Sequence, residues 1–250
     1  MTDVLIVGNG IVGHNLTKEL RALHPDVYDK FKTEENTKSK DKYDLAFICV
    51  NTPYLNKDCV CDISEVKNAI AENEADIYVI KSTILPHTTE QLAKETGKNI
   101  IFSPEYYGST HFTNNYEFDF TILGGDKQIC KSVVQILQNV YDGRHKFYIT
   151  DAVNAEITKY MENAFLAMKV SFCSQFYEIA KAAGGDYEVI RELFLLDERV
   201  NPANTYIFEK HPYWTSHCYD KDIPAIAETY DAKFLKSMIE FNEEQKQKYV

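Results

Sequence analysis

Residues 3–13 read Asp3-Val4-Leu5-Ile6-Val7-Gly8-Asn9-Gly10-Ile11-Val12-Gly13, an apolar run that breaks into three spaced glycines. A short apolar run closed by a turn signal predicts a buried strand over 3–8, and the pattern over 11–23 predicts a helix. Glycines in this spacing occur in many turns; the strand before and the helix after are what give them meaning. Gly8 then permits a tight turn, Gly10 lets backbone approach a pyrophosphate, and Gly13 lets helix and strand pack closely. The helix amino terminus supplies free N–H groups and a positive dipole end for the phosphates. Sixteen residues after Gly13, Asp29 closes a brief second strand, Val27–Asp29. A carboxylate there accepts hydrogen bonds from a ribose diol and repels a 2′-phosphate, which favours NAD over NADP.

Outward from this turn, β-rich runs alternate with helical patterns. Runs at 44–50, 76–82, 99–103, 120–124 and 146–150 are separated by helical patterns at 62–74, 87–96 and 126–140, while 30–43 is polar and reads as loop. That alternation predicts a Rossmann-type α/β domain over 1–150, a parallel sheet with helices on both faces. After Thr150 the character changes. A long helical pattern runs from Asp151 to about Gly184, with apolar residues at 157, 160, 161, 164, 165, 168, 172, 176 and 179. Helices then dominate to the end apart from 199–217, so 151–250 is expected to be an all-helical domain. Its apolar stripe is wider than one small domain needs to bury, which predicts pairing into a homodimer.

Bulk properties narrow the partners. The 250 residues carry a net charge of −11, a field that repels nucleic acid and anionic lipid. No stretch reaches the roughly 18 uncharged apolar residues of a membrane span. The acidic start does not resemble a signal peptide, and the six cysteines are scattered. Reduced thiols in a cytoplasm are therefore expected, with no membrane or nucleic-acid partner. Cys59 and Cys61 have no second pair at zinc-site spacing, so no metal is expected.

Further motifs carry a resemblance. Val50-Asn51-Thr52-Pro53, Lys81-Ser82-Thr83 and Ser103-Pro104-Glu105 each follow a strand. Later come a run from Glu156 through Lys159 and Asn163 to Ala167, then Asp197-Glu198-Arg199, then Cys218-Tyr219-Asp220-Lys221-Asp222. In this order they resemble the UDP-glucose and GDP-mannose 6-dehydrogenases across essentially the whole chain. The resemblance implies two NAD-dependent oxidations of a sugar C6 alcohol to a carboxylate. Cys218 matches the nucleophile that captures the aldehyde and carries the thioester. Lys159 and Asn163, four residues apart on one helix face, match the pair that stabilises the C6 oxyanion. Asp222 matches a residue that holds or activates water, with Thr83 nearby, and Glu105 one that assists thioester hydrolysis. The resemblance further implies cofactor contacts from Asn9, Ile11, Val12, Lys30, Val50, Asn51, Thr52, Ser82 and Thr83. Substrate contacts would come from Glu105, Tyr106, Tyr107, Lys159, Asn163 and Arg199, the arginine from across a dimer interface.

Three departures accompany the matches. The family's glycine-rich loop before the cysteine is replaced by His211-Pro212-Tyr213-Trp214-Thr215-Ser216-His217, with no glycine after Gly185. Such bulk is expected to fill or reshape the sugar pocket, by stacking on base or sugar or by blocking the site. Only fourteen residues separate Asp29 from Asp44, too few for a crossover helix, so the adenine-side wall is trimmed. The family's third, Rossmann-like domain has no counterpart before Val250. Alongside a dehydrogenase acting on a nucleotide sugar or a smaller hydroxy compound stand two other readings. One is a non-catalytic or partner-dependent NAD-binding homologue; the other is a hydroxy acid dehydrogenase.

Overall fold

The computed structural model describes residues 2–107 and 118–249. Two compact units emerge. One comprises Met1–Pro53 with Cys61–Lys159, the other Tyr54–Val60 with Tyr160–Val250.

The first unit is built as β1 (Val4–Val7), α1 (Ile11–Glu19), β2 (Asp26–Tyr28), β3 (Lys42–Ile48), α2 (Ser64–Glu72), β4 (Glu74–Ile80), α3 (Thr88–Thr96), β5 (Ile100–Phe102), β6 (Phe120–Gly124), α4 (Lys127–Leu137) and β7 (Lys146–Thr150), followed by the start of α5 (Ala152–Ala183). The sheet order is β2-β1-β3-β4-β5-β6-β7. Strands alternate their side chains between two cores. Val4, Ile6, Leu45 and Phe47 pack with Leu16 of α1, with Leu20 just past its end, and with Cys130, Val133 and Leu137 of α4. Leu5, Val7, Ala46 and Ile48 pack with Val66 and Ile70 of α2, Leu92 of α3 and Ala155 of α5. Each fully buried Leu, Ile or Val contributes about 1.5–3 kcal/mol, so this two-faced burial dominates the unit's stability.

The expected sheet is parallel only as far as β5. Phe102 of β5 pairs with Gly124 of β6 in antiparallel sense, and β6 and β7 run parallel to each other. A parallel neighbour needs a crossover that returns the chain to the opposite edge, and no helix stands between β5 and β6 among the described residues. Between β2 and β3, where no crossover helix fits, the chain makes only a single 3-10 turn, Thr33–Glu35.

The second unit is helical: the remainder of α5, then α6 (Tyr187–Phe194), α7 (Tyr219–Thr229) and α8 (Lys233–Tyr249). Its core gathers Ala167, Trp214, Ile223 and Met238. Along α5 the apolar stripe divides. Tyr160 and Ala164 are buried, whereas Ile157, Met161, Phe165, Phe172, Phe176 and Ile179 are exposed. The buried side of the helix instead carries Glu156, Lys159, Asn163, Ala167, Ser171 and Ser174, five of them polar. No helix among the described residues is long and apolar enough to cross a membrane.

Candidate functional site

In the first unit the sequence motifs fall together because parallel strands end on one edge of a sheet. The glycine turn follows β1, Asp29 follows β2, Val50–Pro53 follow β3, Lys81–Thr83 follow β4 and Ser103–Glu105 follow β5. The strand order reverses between β1 and β3, and crevices at such switch points hold ligands in open α/β sheets.

Gly8 and Gly13 sit where a side chain has no room. Gly8 has φ +96°, and a Cβ there would lie 2.6 Å from the carbonyl oxygen of Cys49. A Cβ on Gly13 would lie 1.8 Å from the Gly8 carbonyl oxygen, so a side chain at either position displaces backbone. Gly10 differs. Nothing lies within 4 Å of a Cβ built on it, and as the residue capping α1 it provides no side-chain hydrogen bond to the first N–H groups. Open space over uncapped N–H groups fits a pyrophosphate. Ile11 is exposed in the first turn of α1, and Val12 packs on the core shared with α4.

Asp29 is already engaged. Its Oδ2 accepts the Asn9 N–H at 2.7 Å, and its Oδ1 accepts the N–H groups of Phe31 at 2.8 Å and Lys32 at 3.1 Å. Burial pushes its pKa up, but these donors and the Lys32 ammonium outweigh it and hold the carboxyl below the usual range. Lys30 is paired with Glu65.

The turns after β3 and β4 are stitched to each other. Thr52 Oγ1 donates to the Thr83 carbonyl at 2.6 Å, and Ser82 Oγ donates to the Val50 carbonyl at 2.6 Å. Asn51 stays exposed beside them. Glu105 is buried, with Oε1 3.6 Å from Lys159 Nζ, and its Oε2 accepts the Tyr107 N–H at 2.8 Å. Lys159 also stands 5.2 Å from the Tyr106 ring centre. The Tyr107 hydroxyl, expected to face substrate, donates to Glu19, which also accepts from Tyr141. Burial first, then the Glu19 charge, drive both phenols upward.

Lys81 has no role in the sequence reading, yet it organises the turn that bears Glu105. Its buried Nζ donates to Ser103 Oγ and to the Pro104 carbonyl, both at 3.2 Å. Burial lowers its pKa. The Lys81-Ser82-Thr83 motif marks the position, but the contact that gives it purpose lies twenty-two residues away and leaves no local trace.

In the second unit Cys218 stands at the amino end of α7, half-buried, with its carbonyl accepting the Asp222 N–H at 2.9 Å. Asp222, one turn on and buried, accepts from Asn163 Nδ2 at 2.8 Å and pairs with Lys221. Two predicted site residues thus meet through their side chains within this unit, Asp222 on α7 and Asn163 on α5, and Cys218 caps α7 one turn before Asp222. Arg199 is exposed and pairs with Asp197 two residues before it.

The aromatic stretch before Cys218 resolves differently from either expected outcome for its largest side chain. Trp214 is a core residue. Its Nε1 donates to Ser171 Oγ at 2.9 Å, its N–H to Asn242 Oδ1 at 2.9 Å, and its carbonyl accepts from Asn242 Nδ2 at 3.0 Å. Ser174 adds a hydrogen bond to the Pro212 carbonyl. The segment is held by the second unit's own helices, because an indole with its N–H satisfied is a stable core element.

Residues 9–144 match the model of the UDP-glucose/GDP-mannose dehydrogenase family, NAD binding domain, and residues 153–244 match that family's central domain. The UDP-glucose 6-dehydrogenase of Rickettsia bellii is 29% identical over 234 residues, covering 86% of this chain and 52% of that protein. The UDP-N-acetyl-D-mannosamine dehydrogenase of Methanococcus vannielii is 29% identical over 221 residues, covering 83% and 50%. The chain spans about half the length of these curated relatives. In fold it is similar to a UDP-glucose dehydrogenase from Pyrobaculum islandicum, with a TM-score of 0.80 and 21% identity over 97% of this chain and 68% of that one.

Proposed function

Because the chain belongs to the UDP-glucose/GDP-mannose dehydrogenase family, we propose that it oxidises a primary alcohol of a nucleotide sugar to a carboxylate through Cys218. The observation that carries the reading is the first turn of α7, where Cys218 is followed one turn later by a buried Asp222 hydrogen-bonded to Asn163. An inert thiol needs no buried carboxylate–amide pair behind it, and such a pair is costly unless it serves a purpose.

The Gly8–Gly13 turn and Asp29 would hold NAD, which would supply the hydride acceptor for both oxidations. The chain's own residues do the rest. The first oxidation leaves an aldehyde at C6, and the alcohol proton leaves to solvent. The Cys218 thiol then gives up its proton to solvent as its sulfur adds to the aldehyde carbon, forming a C–S bond, and the new oxyanion is stabilised by the Lys159 ammonium and the Asn163 amide. Loss of the second hydride from that carbon gives a thioester. Water, held by Asp222 and deprotonated with help from Glu105, attacks the thioester carbon; the C–S bond breaks and the thiol is regenerated.

The test is a panel of UDP- and GDP-sugars with the purified chain, followed at the NADH absorbance. Turnover is expected with at least one of them, and Cys218→Ala is expected to abolish it while NAD binding persists. Unchanged turnover in that variant would overturn the covalent route. NAD binding without turnover on any sugar would leave a binding module.

The same reading includes a homodimer. The exposed large side chains Phe165, Phe172 and Phe176 on α5, with Leu193 and Phe194 on α6, form an apolar face of the second unit that a second copy would cover. Light scattering is expected to give twice the chain mass, and Phe172→Glu to halve it. A monomeric wild type would remove the dimer.

A further inference from the structure

The loop between β2 and β3 converges on one residue of the cofactor turn. Asn9 is gripped at three atoms: its N–H donates to Asp29, its carbonyl accepts from Lys32 Nζ at 2.8 Å, and its side-chain Nδ2 donates to Glu35 Oε2. Glu35 sits at the end of the Thr33–Glu35 turn and is exposed. Its position is nevertheless set, because Asn36 Oδ1 accepts the Asp29 N–H at 2.6 Å and Thr37 Oγ1 accepts the Val27 N–H at 2.9 Å. The residues after Glu35 are thus pinned to the end of β2, and a second carboxylate faces the turn alongside Asp29.

We infer that Glu35 is a second specificity-determining carboxylate of the adenosine subsite, excluding a 2′-phosphate together with Asp29. This rests on NAD occupying the glycine turn. Where a crossover helix would otherwise follow β2, this chain folds a short loop back onto the turn and brings a carboxylate with it. A phosphate monoester carries about −1.5 to −2 charge near neutrality, so a second anion facing the same ribose adds to the repulsion. Of the loop's four lysines, Lys30 is paired with Glu65, Lys40 with Asp3, and Lys38 donates to Asn73; Lys32, on the Asn9 carbonyl, leaves one positive charge beside two carboxylates. A ribose diol, in contrast, donates to carboxylates and gains from both.

Calorimetric titration of the whole chain with NAD and with NADP tests this, since binding is read without turnover. Glu35→Gln keeps an acceptor for Asn9 Nδ2 and removes only the charge. It is expected to raise the ratio of NADP to NAD affinity about tenfold, the size of one unit-charge contact near a protein surface. Asp29→Asn alone is expected to weaken NAD yet keep NADP the poorer ligand, and the double variant to lose the preference. Added salt should narrow the wild-type preference, as for any exposed charge. An unchanged NADP to NAD ratio in Glu35→Gln, or a preference erased by Asp29→Asn alone, would overturn the inference. Glu35→Lys guards against a silent Gln exchange: it should favour NADP further, and no change there is equally fatal. Wild-type protein that bound neither dinucleotide would end the cofactor reading and the inference with it. That outcome is distinguishable from absent turnover, which leaves binding intact.

Discussion

Two segments of this molecule lead into functional helices, and they are fixed in opposite ways. The turn Gly8–Gly13 enters α1 under constraints that lie within a few residues: the positive φ of Gly8 and the contact of Gly13 with the Gly8 carbonyl. The segment His211–His217 enters α7 under constraints that lie far away, at Ser171 and Asn242. A turn held by its own sterics announces itself in sequence, because only glycine satisfies it. A segment held by distant packing does not, because nothing in an aromatic run says which helix it will meet.

The largest expected effect breaks the second segment. Trp214→Ala removes an indole that is 3% exposed together with its hydrogen bond to Ser171. Such truncations cost about 3–5 kcal/mol. Urea unfolding followed by circular dichroism should show that loss. A change under about 1 kcal/mol would mean the segment is not anchored as described.

Gly13→Ala tests the first segment at its tightest point, and the expected loss is about 3 kcal/mol, at the upper end for overpacking because the clash is with backbone. Gly10→Ala is the matching control. With nothing within 4 Å of the added Cβ, stability should move by less than about 0.5 kcal/mol, while NAD affinity falls about tenfold as the methyl enters the ligand's space. If both variants lost stability alike, the division of labour among the glycines would be wrong.

Glu156 sharpens the contrast from a third position. It is fully buried on α5 and caps α3 from outside, its Oε2 accepting the His87 N–H at 2.7 Å and its Oε1 accepting the Thr89 N–H at 2.9 Å and the Thr89 hydroxyl at 2.6 Å. Burial raises its pKa against the pull of those donors. Glu156→Ala strands three donors, the two on Thr89 buried, and about 2–3 kcal/mol should be lost in the same urea assay. The cap is invisible to a local reading because His87 and Glu156 are 69 residues apart.

The same physics sorts what could be read in advance. The β/α alternation, the glycine turn and the placement of Asp29, Thr52, Ser82 and Glu105 after strand ends follow from short-range patterning and from the rule that parallel strands end on one edge. The antiparallel entry of β6 was not legible, because strand sense depends on a connection rather than on the strand's own residues. Along α5 the period identifies a helix and a stripe too wide for one small domain, but it does not say that Glu156, Lys159 and Asn163 take the inward face. Glu35 and Lys81 were silent, their roles lying in contacts across 26 and 22 residues.

The smallest expected effect falls on Arg199, and it separates structure from function most cleanly. Arg199 is exposed and, among the described residues, is bonded within its own turn, its Nε to Asp197 Oδ1 at 2.9 Å and its N–H to the same oxygen at 3.1 Å. A pair so close in sequence and so open to water holds no distant elements together. Arg199→Ala should therefore leave the melting temperature where it is. If the arginine reaches the site of a second copy, as the dimeric reading requires, the same variant raises KM for the sugar substrate and leaves the mass in solution unchanged. A variant that melted early would make Arg199 a structural residue of the 195–218 segment, fixed by long-range packing just as Trp214 is. One that altered neither melting nor KM would leave it a solvated side chain, and the second copy would contribute nothing there.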